Sequence, residues 1–588
     1  ASSFLGRHLS DSRYSSSRKK QEGSRGACIP AGSMSGAEVA TLGLATRAFA
    51  ALSPQLLVAA STAVSLFSWL QLAKITLPAA VASLAILATI PFHLSAFYYH
   101  LTKDNFFDLD SYVSKGIEGH PNKKISFRDR IKVAALNELS VGRKVSRSSA
   151  SHPLTSGKSP YIKGLDVSSL RGQSDPPLSE PEIVVGTIRM GFGHHRIAYS
   201  ACSWGLQGQH KVLFHDLLNI KSPEADLIKE TDRKYSMGSR IATEMGSFFE
   251  RVWGRLTKSG DENMLRGTYL MAENIKPLLN GLPKDTPIIA THSLVGLTAV
   301  ACGFKNVINL VIDNYPQWFV IVPGAVNLVQ GPINHRTFLR WGVPQAEIRL
   351  AGHWCPADLV ENIEQDCKAR KARRAAKKPV RLLVPVGGAG AQRKFVTRFL
   401  EELRGPILAG EVQLMLNAGD HKHMRESFEA SLSKMGFKKS DYEVIGSMQG
   451  VEDYAERLRS GSEPAKAITL FAFEDYFPAV ATTDVLSRVA DVLACKPSEL
   501  AFYPVPKLML RRVGDHEAAS AVRAAELGDG TTEVRTVEDA VAWVKLFGLT
   551  DAVLSDMNDA IMLNGRNGVY DGCKTAVELA REMARGGR

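Results

Sequence analysis

Three stretches of this chain gather residue types that can do chemistry. The first is "MGFGHHR", residues 190–196, which follows the apolar run "EIVVGTIR" and precedes "IAYSACSWGL", a segment that reads as a helix. Glycines at a strand-to-helix turn, here Gly191 and Gly193, place backbone N–H groups and a helix N-terminus where an anion or a polarised hydroxyl can be held. His194 then stands at the carboxyl edge of a parallel sheet, where ligands bind in such folds, and carries a side chain that titrates near neutral pH. A plain tight turn also explains the glycines, because the third glycine of the dinucleotide fingerprint GxGxxG is not filled. The second stretch is "VPVGGAGAQRKF", residues 384–395, in which Gly387, Gly388 and Gly390 precede a helix expected to begin near Gln392, with Arg393 and Lys394 in its first turn. This suits a pyrophosphate at a helix N-terminus, although purely structural glycines remain the alternative and the GK[ST] of a Walker A loop is absent. The third is "DVLACKPSELAFYPVPKL", residues 491–508, with "VGDHEAASAV" from Val513 onward. It concentrates Lys496, Ser498, Glu499, His516 and Glu517 at expected strand ends; Glu499 can accept hydrogen bonds from ribose hydroxyls and Lys496 can face a phosphate, while a pair of capped helices is the structural alternative.

The elements that must position these groups are legible from Ile183 onward as short apolar runs alternating with amphipathic stretches. The strand candidates are "EIVVGTIR", "KVLFHDLL", "PIIATHS", "NVINLVID", "WFVIVP" and "EIRLAG", followed by "VRLLVPVGG", "EVQLMLNAG", "YEVIGS", "AITLFAF", "VLACKP" and "KLMLRRV". Such alternation predicts parallel sheets with crossover helices, hence an α/β protein with two Rossmann-like domains, residues 181–365 and 380–588. The basic run "DCKARKARRAAKKP", residues 366–379, is read as the connection between them.

The 180 residues that come before have a different texture. Residues 1–50 form a basic, Ser- and Arg-rich arm resembling a transit segment. Residues 51–100 are apolar: Leu52–Tyr99 contains one charge, Lys74, and the 25 residues Ile75–Tyr99 are uncharged and end in Phe97, Tyr98 and Tyr99. That length and that aromatic end predict a transmembrane segment or helical hairpin, with a buried helical hairpin as the alternative. Residues 101–180 are polar and read as a linker. The net charge of +12 suits an anionic partner, a membrane surface or a phosphorylated substrate more than nucleic acid, for which no zinc-finger spacing, RNP-like run or basic helix with interleaved aromatics is present. The seven cysteines are odd in number, scattered and without a CxxC pair, which argues against a disulfide framework or a zinc site and for a reducing compartment. "THSLVG", with Thr291 and Val295 in the glycine positions of the nucleophile elbow, does not make Ser293 a nucleophile, and "DLD" at Asp108–Asp110 lies in linker-like sequence.

Taken in order, the two α/β domains, the glycine turn followed by His, the GG-x-G turn after the first strand of the second domain and the acidic cluster near its end resemble the GT-B glycosyltransferases over about residues 183–585. The resemblance is to the branch that contains monogalactosyldiacylglycerol synthase and the bacterial lipid II-forming enzyme MurG. It implies that His194 is the base or acceptor organiser, that Asp313 in "VIDN" and His292 in "THSL" lie on the acceptor side with Gly191 and Gly193, and that Gly387, Gly388, Gly390, Glu499 and Glu517 serve the donor. Where the family has a Gly-rich run between the Lys and the Glu of its donor motif, this chain has only "KPSE", and Phe192 interrupts the usual run of three glycines.

The expectation that follows is a membrane-attached glycosyltransferase moving a sugar from a UDP-sugar to a lipid-like acceptor. His194, assisted by Asp313, acts as general base. The second glycine turn and Lys496 stabilise the departing diphosphate, with no cofactor or metal. The expected setting is an organellar membrane, plastid or mitochondrial, with membrane lipid as partner and residues 1–100 available to other subunits of a membrane complex. The rival expectation is an inactive GT-B-like subunit of such a complex, which the short "KPSE" loop suits; a sugar-nucleotide epimerase on the same fold ranks last.

Overall fold

The structure is a computed structural model; it describes residues 151–233, 262–387 and 392–586, all within one compact unit. Two sheets dominate the described residues. The first has eight strands in the order β1-β2-β4-β3-β5-β6-β7-β8: β1 (Leu154–Lys158), β2 (Asp166–Leu170), β3 (Ile183–Thr187), β4 (Val212–Asp216), β5 (Ile288–Ala290), β6 (Val307–Leu310), β7 (Val326–Val329) and β8 (Ile348–Leu350). Among the described residues only the β1–β2 pair of this sheet is antiparallel. The second has six parallel strands in the order β11-β12-β10-β9-β13-β14: β9 (Val380–Pro385), β10 (Val412–Gly419), β11 (Glu443–Ile445), β12 (Ile468–Ala472), β13 (Val492–Cys495) and β14 (Lys507–Met509).

The sheets are built by strands that are apolar on both faces, as parallel strands covered by helices must be. In β3, Val184 enters one core with Ile288 and Leu213, while Ile183 and Val185 enter another with Phe214 and Ile289. This second core runs from the first sheet and its helices, the first lobe, into the second sheet and its helices, the second lobe: it also contains Leu383 and Met415 from β9 and β10, and Phe502, Tyr503 and Tyr570. The last helix, Gly572–Ala584, crosses back to lie against the helix Gly193–Gln207 and strands β3, β5 and β6 of the first lobe. An added Cβ at Gly572 would meet Gly352 O inside van der Waals contact and stand 2.7 Å from His353 O, so this crossing is closed by a position without a side chain.

Three expectations change. The stretch 101–180 read as linker supplies β1 and β2, whose mixed polarity (LTSGK, DVSSL) hides an edge pair that buries Leu154 and Ser168. Much of the basic connection is the helix Ile363–Ala375, which buries Asp366, Cys367, Arg370 and Arg374 and pairs Arg373 with Asp491 and Glu463, while Lys368 stays in water. The membrane-embedded helical segment is corrected, and with it membrane attachment, the lipid-like acceptor, the membrane-lipid and membrane-complex partners and the organellar-membrane location. Among the described residues no helix is long and apolar enough to cross a membrane. The longest have 15 residues, about 22 Å of rise against a hydrocarbon layer of about 30 Å. Residues 51–100, where the span was expected, lie outside the described residues, as does the arm at 1–50.

Candidate functional site

In an open parallel sheet, ligands bind outside the carboxyl ends of the strands where the strand order reverses. The first sheet reverses between β3, which leads outward to β4, and β5, which leads the other way. The second reverses between β9 and β13. "MGFGHHR" follows β3 and "THS" follows β5, while Gly387 follows β9 and "KPSE" follows β13. Most of the residues singled out from the sequence therefore sit at the two reversal points, although they are scattered over more than 300 positions.

At the first reversal, Gly191 takes φ +71°, a left-handed conformation that a side chain resists. Its carbonyl accepts a 2.6 Å hydrogen bond from Tyr476 Oη of the second lobe. Gly193 opens the helix Gly193–Gln207. His194 Nδ1 lies 2.7 Å from the Thr291 carbonyl, which can only accept, so Nδ1 carries the proton and Nε2 keeps its lone pair. Burial lowers the pKa of His194, while the Thr291 carbonyl and the charges of Asp313 and Glu499 pull against it. The His292 ring lies 4.3 Å from that of His194. His292 Nδ1 accepts from Leu294 N at 3.0 Å, capping the helix Ser293–Ala301, so its proton is on Nε2. Burial and the neighbouring His194 hold His292 well below the ordinary histidine range. The two imidazoles thus pair a proton acceptor with a proton donor at one strand edge. Ser293 is the first residue of the capped helix and is buried.

At the second reversal, Lys496 lies across Gly387: a Cβ there would be 3.1 Å from Lys496 Cε. Lys496 Nζ pairs with Glu517 Oε1 at 2.5 Å. Burial works against the Glu517 carboxylate, but Lys496, His516 and the Val513 N–H outweigh it and keep its pKa below the usual range. His516 Nδ1 is buried with no hydrogen-bond partner among the described residues. The helix Arg393–Glu402 opens with two cations, Arg393 and Lys394, after Gln392 at φ +68°. Gln392 Nε2 donates to the Arg511 carbonyl. Gly388 and Gly390 lie outside the described residues. Ser498 precedes the short 3-10 turn Glu499–Phe502 and makes no side-chain cap there.

Glu499 departs from the expected role on the donor side alone. Its Oε2 stands 3.3 Å from the Cβ position of Gly193, and its Oε1 3.9 Å from Arg196 Nε, so the carboxylate of one lobe lies at the helix N-terminus of the other. That placement is favoured by the helix dipole. Sequence reading missed the residues that lock this junction. Arg196, 2% exposed, donates to Asp484 Oδ1 at 2.5 Å and to the Val480 carbonyl at 2.9 Å, and Tyr503 Oη donates to the same Asp484 oxygen at 2.7 Å. Phe192 packs on Gly419, Tyr476 and His421, and the Arg189 guanidinium lies 3.8 Å from the centre of the Tyr476 ring. The available signal was Arg196 itself, the one Lys, Arg, Asp or Glu in the helix, which must be paired if the helix is buried. Among the described residues no group of three His, Cys, Asp or Glu side chains could hold a metal ion.

Two family models match the chain, each described as a domain of unknown function: DUF6937 over residues 123–339 and DUF6938 over residues 343–581. No curated protein matches the chain. Among solved structures, the chain is similar to UDP-GlcNAc 2-epimerase from Neisseria meningitidis bound to UDP-GlcNAc, with 11% identity, 68% of this chain and 98% of that one covered, and a TM-score of 0.35. It is also similar to α,α-trehalose 6-phosphate synthase from Burkholderia multivorans, with 13% identity, 69% and 100% covered, and a TM-score of 0.37. A third is the Anabaena protein HepE in complex with UDP and glucose, with 9% identity, 69% and 99% covered, and a TM-score of 0.36. The resemblance is a distant one to several GT-B-fold epimerases and glycosyltransferases and does not single out the monogalactosyldiacylglycerol synthase and MurG branch.

Proposed function

We propose that the junction of the two carboxyl edges binds a phosphorylated small molecule of the nucleoside diphosphate class, and that His194 takes up a proton from it. One observation carries the reading. The four residues Lys496–Glu499 reach both glycine turns at once, Lys496 across Gly387 and Glu499 against Gly193, so the two reversal points share one boundary. A diphosphate at the second turn would meet the Lys496 ammonium and the N-terminus of the helix Arg393–Glu402. The remainder of the ligand would extend toward the neutral His194–His292 pair, where Nε2 of His194 is the free base. The tight Lys496–Glu517 pair makes the ammonium a switchable partner: an incoming diphosphate competes with the carboxylate for it.

The test is calorimetry with UDP and UDP-glucose titrated into the full chain. Micromolar binding is expected. Lys496→Met should weaken it about 10- to 100-fold, the worth of one charge-assisted hydrogen bond. A folded wild-type chain that binds neither compound, or a Lys496→Met chain that binds both as well as wild type does, sinks the proposal.

A further inference from the structure

A second group of buried polar side chains lies away from either reversal point, at the carboxyl ends of β6, β7 and β8. Asn314, Gln330, Asn334 and His353 are between 0% and 6% exposed. Each leaves one polar atom without a hydrogen-bond partner among the described residues: Asn314 Nδ2, Gln330 Oε1, Asn334 Oδ1 and His353 Nε2. Arg523, from the second-lobe helix Ala518–Glu526, adds a fifth in Nε. Shared neighbours bring them together. Arg523 Nε and Asn314 Oδ1 each lie 3.5 Å from the Cβ position of Gly331, the residue between Gln330 and the helix Pro332–Trp341 that carries Asn334. The Gln330 amide donates to the Ile312 carbonyl at 2.6 Å and the Asn334 amide to the Asp313 carbonyl at 2.6 Å, so both clamp the backbone just before Asn314. The charge of Arg523 acts on His353.

The partners already made decide what the unused atoms can do. Carbonyls only accept, so the amide nitrogens of Gln330 and Asn334 are the ends that donate, and their oxygens are the acceptors left over. His353 Nδ1 donates to the Phe502 carbonyl at 3.2 Å, which leaves Nε2 a lone pair. Burial, with Arg523 and Lys507 nearby, lowers the His353 pKa to about 3 and keeps the ring neutral. The guanidinium of Arg523 pairs with Glu526 at 3.5 Å through Nη1, so its charge is answered within its own helix, and Nε–H is its buried donor without a partner among the described residues. The cluster therefore offers three acceptors and two donors, all buried, with no uncompensated charge. An ionised phosphate, which has more charged oxygens than O–H donors, would set those oxygens against the three acceptors; a cation would face the guanidinium. A molecule with several hydroxyl groups, each able to donate and accept, matches the set.

We propose that Asn314, Gln330, Asn334, His353 and Arg523 form a binding site for a neutral polyhydroxylated ligand, a sugar or cyclic polyol. The site is separate from the phosphate-binding junction and does not depend on that reading.

The full chain is examined by saturation-transfer NMR and by thermal shift with glucose, galactose, mannose and myo-inositol at millimolar concentrations, and with inorganic phosphate at matched ionic strength. At least one polyol is expected to bind, and phosphate not to displace it. Arg523→Leu, at the most exposed of the five positions, should weaken the polyol about 10- to 100-fold, the range for one hydrogen bond from a charged donor, and Gln330→Leu about two- to tenfold, the range for a neutral one. Lys496→Met should leave polyol binding unchanged while weakening UDP, so the two readings fail separately. The proposal is overturned if the folded wild-type chain binds none of the four polyols, which would leave the buried groups to ordered water. It is equally overturned if phosphate competes for the site, or if both Leu variants fold and bind as wild type does.

Discussion

Arg196→Met tests how the two lobes are joined. The guanidinium is almost fully buried and meets Asp484 at 2.5 Å, with the Val480 carbonyl and Tyr503 Oη completing the network. For charge centres about 4 Å apart, an effective dielectric constant near 20 gives an attraction of about 4 kcal/mol. Removing one member of a buried pair costs about 3–5 kcal/mol, because the other is left uncompensated. The two routes agree, and the variant should lose about 4 kcal/mol in urea unfolding followed by tryptophan fluorescence and far-UV circular dichroism. Burial already raises the Asp484 pKa, with Arg196 and Tyr503 acting against that rise. With Arg196 gone the carboxyl should take up a proton more readily, so the cost should shrink as the pH is lowered toward 5. Asp484→Asn in the Arg196→Met background should restore at least 1 kcal/mol, the sign of coupling between neighbours. A loss under about 1 kcal/mol, the range of an exposed ion pair, with no rescue in the double variant, would refute the claim that this pair locks the lobes.

Further outcomes can be checked in the same way. Gly572→Ala should destabilise the chain by about 1–3 kcal/mol through overpacking against the Gly352 and His353 carbonyls, measured as a lowered urea midpoint. Burial lowers the pKa of His215 to about 4 and that of His353 to about 3, against 6.5 for the free side chain. The unfolded chain therefore binds protons there that the folded chain does not: stability is full above the unfolded value near 6.5 and falls as the pH drops toward the folded values. Each histidine contributes about 1.4 kcal/mol per pH unit within that window, and replacing His215 by Asn should flatten a plot of urea midpoint against pH. His194→Gln should leave UDP binding within about threefold of wild type, because the residue sits on the first lobe and not at the phosphate; a loss as large as that of Lys496→Met would place it in binding instead.

The β strands from Ile183 onward were legible because parallel strands covered on both sides are short runs of Val, Ile and Leu, and that pattern needs no partner to be seen. β7 was not: "WFVIVP" is the more apolar run, but it forms the 3-10 turn Trp318–Val320, and the strand is the adjacent Val326–Val329, whose Asn327 is buried and hydrogen-bonded to Asn309, Val322 and Ala325. Hydrophobicity could not find a strand whose central residue is an amide. β1 and β2 were hidden for a related reason, since an edge pair faces water on one side and loses its apolar signature. The positions of the glycine turns, of His194 and of Lys496 followed from strand order and were open to reading. The reach of Glu499 to Gly193, and the Asn314–Arg523 cluster, depend on how two distant segments approach each other, and no local pattern encodes that.

The return of the helix Gly572–Ala584 to the first lobe also bears on how the chain is made. A ribosome delivers β1 to β8 long before that helix exists, so the apolar face left for it stays open throughout synthesis of the second lobe. Contacts of such sequence separation form late, and the waiting surface is what a holding chaperone would cover. Shortening the nascent chain at its end should therefore trap the first lobe in a sticky, chaperone-bound form, long after its own sheet has been translated.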